Sequence, residues 1–139
     1  MSKKIENYIR TYGKLYTPAE IPEDIEPGVT GDCFDHCAKV ATGRKYRYVE
    51  GLAMDPTLKN GWMLHSWLTD ESGKLAYDPT WFVMVEGKRI NKVPTIYLGI
   101  EMDIKTLAEF MSKTEYKSVI ANGWRNKEIA SKLLPNFFK

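Results

Sequence analysis

The apolar positions change their period along the chain. From Lys3 to Tyr12, the residues Ile5, Tyr8, Ile9 and Tyr12 fall at i, i+3, i+4 and i+7, which predicts a short amphipathic helix ended by Gly13. The stretch Thr17 to Gly28 contains Pro18, Pro22 and Pro27, which forbid regular helix, together with several acidic residues. It reads as a solvated connector, with a substrate-facing lid as the alternative. Asp32 then offers an N-cap oxygen, Phe34, Cys37, Ala38 and Ala41 form a helical stripe, and Gly43 supplies a stop. The second predicted helix therefore begins at Cys33.

Beyond it the chain turns to extended segments rich in β-branched and aromatic residues: Tyr46 to Met54, Trp62 to Thr69, Leu75 to Asp78, Phe82 to Glu86 and Thr95 to Ile100. Short turn signals separate them at Asp55-Pro56, Asn60-Gly61, Glu71-Ser72-Gly73 and Glu86-Gly87-Lys88, and the expectation is one antiparallel sheet. After Asp103, a second stripe of Ile104, Leu107, Ala108 and Met111 predicts a helix, and a last one is expected over Lys127 to Leu134, before Pro135. Helix, loop, helix, sheet, helix is an α+β order.

With 139 residues and 43% hydrophobic content, the chain can bury one core and is expected to form a single domain over 1–139. Twenty Lys and Arg against eighteen Asp and Glu leave a charge of +2, too balanced to argue for a nucleic-acid or membrane-surface partner. Apolar runs are only a few residues long and none follows the charged start Met1 to Glu6, so neither a membrane span nor a signal peptide is expected. The two cysteines, Cys33 and Cys37, are one helical turn apart and do not suggest a disulfide framework. A reducing, cytoplasmic setting is the default expectation.

A thiol attacks as thiolate, and the first turn of a helix, with its unpaired N–H groups and positive dipole end, favours that form. Cys33 has that position. His65, within Trp62 to Leu68, is a base of suitable affinity for protons, and Asp78 follows it across the Glu71-Ser72-Gly73 turn. If the two strands pair as a hairpin centred near Ser72, opposed residue numbers sum to 143 or 144, and His65 and Asp78 sum to 143. Asp78 could then orient the imidazole. Trp67 shares the strand face of His65 and is a candidate aromatic wall for substrate, although tryptophans are first of all core residues. Glu50 shares a face with Tyr48 and Leu52; it is a candidate cleft residue, with a local structural acceptor the favoured reading. The second oxyanion donor would be a backbone N–H between Thr30 and Asp32 or the hydroxyl of Tyr12 or Tyr16.

The runs Gly31-Asp32-Cys33-Phe34, Tyr48-Val49-Glu50-Gly51-Leu52-Ala53, His65-Ser66-Trp67-Leu68 and Tyr77-Asp78-Pro79-Thr80-Trp81 resemble small bacterial and phage proteins of the transglutaminase-like, papain-fold superfamily. The resemblance covers about Gly31 to Trp81. It implies a Cys-bearing helix packed on an antiparallel sheet, with a catalytic core over about 31–100 and flanking C-terminal helices. It also implies a Cys33, His65, Asp78 triad without a cofactor. The implied chemistry is acyl transfer: hydrolysis of a peptide, isopeptide or side-chain amide, or transfer to an amine. The chain departs from the compared members at His36 and Cys37, where they usually carry a small polar residue and Ala.

Three other readings compete with it. Cys37 lies on the apolar stripe and reads as core packing, with a resolving thiol as the minority use, and His36 reads as a surface residue. Cys33, His36, Cys37 and His65 could form a zinc site, although ligands at i, i+3 and i+4 on one helix strain a tetrahedron. A non-catalytic interaction protein on the same fold is the alternative from another class.

Overall fold

The structure, a computed structural model, describes residues 2–29, 31–57, 59, 61–91 and 95–138. Thr30 and Asn60, which carried part of the oxyanion and turn expectations, lie outside them. Helix α1 (Lys3–Tyr12) matches its predicted span, capped by the Ser2 hydroxyl, which accepts from Ile5 N at 3.2 Å. Strand β1 (Lys14–Pro18) follows at once. It escapes pattern reading because only Tyr16 among its five side chains is buried. Helix α2 (Cys33–Ala41) comes next, then β2 (Arg47–Met54), β3 (Trp62–Thr69), β4 (Leu75–Ala76), β5 (Phe82–Val85), β6 (Lys88–Asn91) and β7 (Ile96–Met102). Helices α3 (Ile104–Thr114) and α4 (Val119–Asn122), a 3-10 turn (Gly123–Asn126) and α5 (Lys127–Leu133) complete an α+β chain.

The predicted single antiparallel sheet is replaced by two. The hairpin β5–β6 stands apart, joined by Glu86 and Gly87, both at positive φ (50° and 78°), as a two-residue turn requires. The main sheet runs β3-β2-β7-β1-β4 and is mixed, because β4 pairs parallel with β1, at Thr17–Leu75 and Pro18–Ala76. The expected β3–β4 hairpin is reduced to one antiparallel bridge, Leu68 with Tyr77, closed by N–H to O bonds of 2.9 and 2.8 Å. That bridge brings the two outer strands together, so the sheet curls nearly shut.

Curling gives the sheet an outer and an inner face, read from the alternation along each strand. Outward, Tyr48, Leu52, Leu68 and Met102 pack with Ile9, Ala38, Ala41, Leu107, Phe110 and Leu134 of the helices and C-terminal segment in the larger core. Inward, Tyr16, Val49, Ala53, Trp67, Ala76 and Tyr97 fill a smaller core. Gly99 makes room there: a Cβ on it would lie 2.7 Å from both the Trp67 ring and Val49 Cγ1.

The proline-rich stretch is not a solvated connector. Ile21 and Ile25 are buried, the Arg89 guanidinium donates to the carbonyls of Pro22 and Ile25 at 2.7 and 2.5 Å, and Gly28 N donates to Pro79 O at 2.8 Å. Lys45 and the Tyr46 hydroxyl both engage Asp24. The prolines break helix periodicity and hide two anchors from it. Among the described residues, no helix is long and apolar enough to cross a membrane.

Candidate active site

Cys33 occupies the first turn of α2, as the sequence suggests, but Asp32 does not cap the helix with its side chain. Asp32 sits at φ −116° and ψ 22°, outside the extended geometry that aims a capping oxygen inward, and only its carbonyl takes part, accepting from His36 N at 3.0 Å. The Asp32 side chain therefore does not occupy the first N–H groups of the helix, beside the thiol. Of the expected second oxyanion donors, the Asp32 N–H is used by Val29 O at 3.0 Å, Tyr12 is exposed on α1, and Tyr16 is buried inside the curled sheet.

His65 lies on the inner face of β3, opposite Gly51. Asp78 follows the Leu68–Tyr77 bridge directly. That bridge sums to 145, not 143 or 144, so His65 and Asp78 are diagonal neighbours instead of an opposed pair. A shift of two residues keeps both side chains on one face, and His65 Nε2 meets Asp78 Oδ2 at 2.9 Å. A carboxylate only accepts, so Nε2 carries a proton toward it and Nδ1 is the nitrogen left for a thiol. Burial pulls the His65 pKa down, but the charge and hydrogen bond of Asp78, and then Cys33 as a hydrogen-bonding and charged neighbour, outweigh it and raise it to about 10. Cys33 thus acts on the same imidazole that Asp78 holds. A proton held on that imidazole is the counter-ion a thiolate nucleophile requires.

Sequence reasoning missed the rest of the network around Asp78. Thr80 donates to Oδ1 from N and Oγ1, both at 3.2 Å, in a local turn of the Asp-x-Thr kind that the sequence does carry. The Tyr97 hydroxyl donates to Oδ2 at 2.7 Å and receives Asn91 Nδ2 at 2.9 Å. No local signal marks that tie, since Tyr97 and Asn91 reach Asp78 only through the curl of the sheet. Trp81 stands edge-on to His65 with ring centroids 5.9 Å apart.

Two candidate substrate contacts are placed elsewhere. Trp67 has no exposed surface; it packs on Tyr97 and Tyr16 at 4.8 and 5.8 Å and lies 6.4 Å from His65, so it forms the floor beneath the base and not a wall that substrate touches. Glu50 points to the outer face. Fully buried, it accepts from Val119 N at 2.9 Å on each oxygen and from Ile120 N at 3.2 Å, the structural acceptor for the start of α4. Burial pushes its carboxyl up to about 7 against hydrogen bonds from Ser118, Ile120, Val119 and Tyr48.

Cys37 belongs to the larger core, and burial, then the charge of Asp78, pushes its thiol well above the ordinary range. His36 turns the other way, its Nε2 at 2.6 Å from Glu26 O, so the four residues of the zinc reading do not converge. Among the described residues no group of three or more His, Cys, Asp or Glu is placed to hold a metal ion. Cys33 and His65 each keep about 5% of their surface exposed. A cavity of about 390 Å³ is lined by Gly31, Asp32, Phe34, Leu64, Tyr116 and Ser118; neither Cys33 nor His65 lines it, and Leu64 lies on the outer face of β3, opposite to that of His65.

Comparison with protein-family models, with curated proteins and with solved structures gives no match to this chain.

Proposed function

We propose that the chain is a cysteine-nucleophile acyl-transfer enzyme, related to the papain-like and transglutaminase-like enzymes and hydrolysing a peptide, isopeptide or side-chain amide. One observation carries the reading: an imidazole at the mouth of α2 is held by a buried carboxylate at 2.9 Å on Nε2, while a helix-start thiol acts on the same ring. This is the division of labour that nucleophilic catalysis by a thiol requires.

In the proposed reaction, the Cys33 thiolate forms a bond to the carbonyl carbon and the π pair moves to oxygen, facing the first N–H groups of α2. Collapse of the adduct breaks the C–N bond, and His65 gives its Nδ1 proton to the leaving amine, leaving a thioester on Cys33 and a neutral imidazole. That imidazole then takes a proton from water, the oxygen bonds to the thioester carbon, the C–S bond breaks to release the carboxylic acid, and the thiolate and the imidazolium are restored. An amine in place of water gives transfer instead of hydrolysis. Asp78 holds the Nε2 proton throughout.

The test is turnover of p-nitrophenyl acetate together with a panel of peptide, isopeptide and glutamine-amide substrates. Turnover that disappears in Cys33→Ala and in His65→Ala supports the reading; turnover that survives both variants overturns it. The small exposure of Cys33 and His65 favours a second reading, in which the same fold serves as a non-catalytic binding protein. Stoichiometric association with a peptide partner, unchanged by Cys33→Ala and without any acylated intermediate, would decide for it.

A further inference from the structure

We infer that Tyr97 is a positioning residue of the proposed triad, its phenol fixing the Asp78 carboxylate against His65 while Asn91 donates to the phenol oxygen. The inference rests on the acyl-transfer reading for its consequence in rate, and on geometry alone for its effect on the His65–Asp78 pair.

Asp78 Oδ2 accepts from two donors that come from different parts of the sheet, His65 Nε2 at 2.9 Å from β3 and Tyr97 Oη at 2.7 Å from β7. Oδ1 is taken by Thr80, two residues along the chain. The Thr80 bonds form within one turn and move with Asp78 if that turn moves. Tyr97 is different, because its backbone is paired on both sides, with Tyr16 of β1 and Ala53 of β2. It ties the carboxylate to the centre of the sheet.

The polarity of the tie is also determined. The Asp78 carboxylate only accepts, so the Tyr97 hydroxyl directs its proton to it at 2.7 Å, and the phenol oxygen receives from Asn91 Nδ2 at 2.9 Å, with Thr95 as a further hydrogen-bonding neighbour. Burial, and then the Asp78 charge, raises the pKa of the phenol well above its ordinary value, so it stays a donor. A phenylalanine would fill the same space against Trp67, 4.8 Å away. Only the hydroxyl answers to Asp78, and a buried hydroxyl is costly unless partnered. Asn91 closes β6, so its amide links the separate β5–β6 hairpin to the site.

Two readouts on the full chain test the inference. In wild type the His65 Nε2 proton should give a slowly exchanging low-field proton NMR signal, assigned by its absence in His65→Ala; in Tyr97→Phe it should broaden or vanish. The second-order rate of Cys33 acylation by p-nitrophenyl acetate should fall about 10- to 100-fold in Tyr97→Phe and less in Asn91→Leu, as orientation of the base is loosened. A tyrosine that merely fills space would lower thermal stability and leave both readouts unchanged, which would overturn the inference. If Tyr97→Phe does not fold, Asn91→Leu, at the edge of the hairpin, carries the same test. Were wild type not acylated at all, the enzyme reading would fail, while the NMR signal would still uphold or overturn the role of Tyr97.

Discussion

The two faces of the curled sheet each bury a carboxyl group, and their surroundings give them different work. On the outer face, Glu50 meets backbone N–H groups of α4, and burial pushes its carboxyl up to about 7. At the inner face, Asp78 meets an imidazole, a phenol and Thr80, and the imidazole it holds is raised to about 10. Burial is similar in the two places. Only Asp78 has a partner that can itself move a proton and that faces a thiol. Burial of a charge therefore marks a structural tie as readily as a site, and the identity of the partner separates them.

The largest effect that could break this comparison belongs to the inner face. His65→Ala should lower acylation of Cys33 by roughly 10²- to 10⁴-fold in a stopped-flow ester assay, while Asp78→Asn should leave a folded protein with reduced activity because an amide no longer fixes the tautomer. An unchanged rate in His65→Ala would make the inner carboxyl as structural as the outer one.

The next effect belongs to Glu50 and is one of stability. A carboxyl raised from 4.5 to about 7 in the folded state contributes stability that is present below pH 4.5 and lost as pH rises through 7. Denaturant unfolding of wild type should therefore weaken between pH 4.5 and 7 relative to Glu50→Gln, by up to about 3 kcal/mol. For His65 the corresponding window opens at 6.5 and closes at about 10, so a wild-type decline confined to the alkaline range would assign the whole linkage to the site.

Smaller changes sharpen the contrast. Gly99→Ala places a methyl 2.7 Å from the Trp67 ring and should cost about 1–3 kcal/mol in denaturant unfolding, with a loss of acylation if the floor beneath His65 shifts. Cys37→Ala, on the outer side, should cost about 1 kcal/mol by the same measurement and leave acylation unchanged.

The sequence made visible what depends on local pattern. Helix α1 and strand β3 were predicted with the limits they have, and Cys33 does open a helix. The pairing of His65 with Asp78 was legible from the turn between them, although the opposition assumed was two residues off and survived because an even shift preserves the face. The parallel pairing of β1 with β4 was invisible, since β1 buries one side chain and β4 has two residues. Tyr97 and Asn91 were invisible for the same reason: their role exists only once the outer strands meet. Trp67 was placed on the right face but too deep, because alternation tells face and not depth.

The most direct measurement of the central claim is competitive alkylation of the two thiols by limiting iodoacetamide, mapped by peptide mass spectrometry in wild type and in His65→Ala. Cys33 should react well ahead of Cys37 in wild type, and its rate should fall at least about tenfold when the imidazole is removed, as expected of a nucleophile activated by its base. Because Cys33 is also the slightly more exposed thiol, the variant is decisive. A Cys33 rate that is the same with and without His65 would contradict the account.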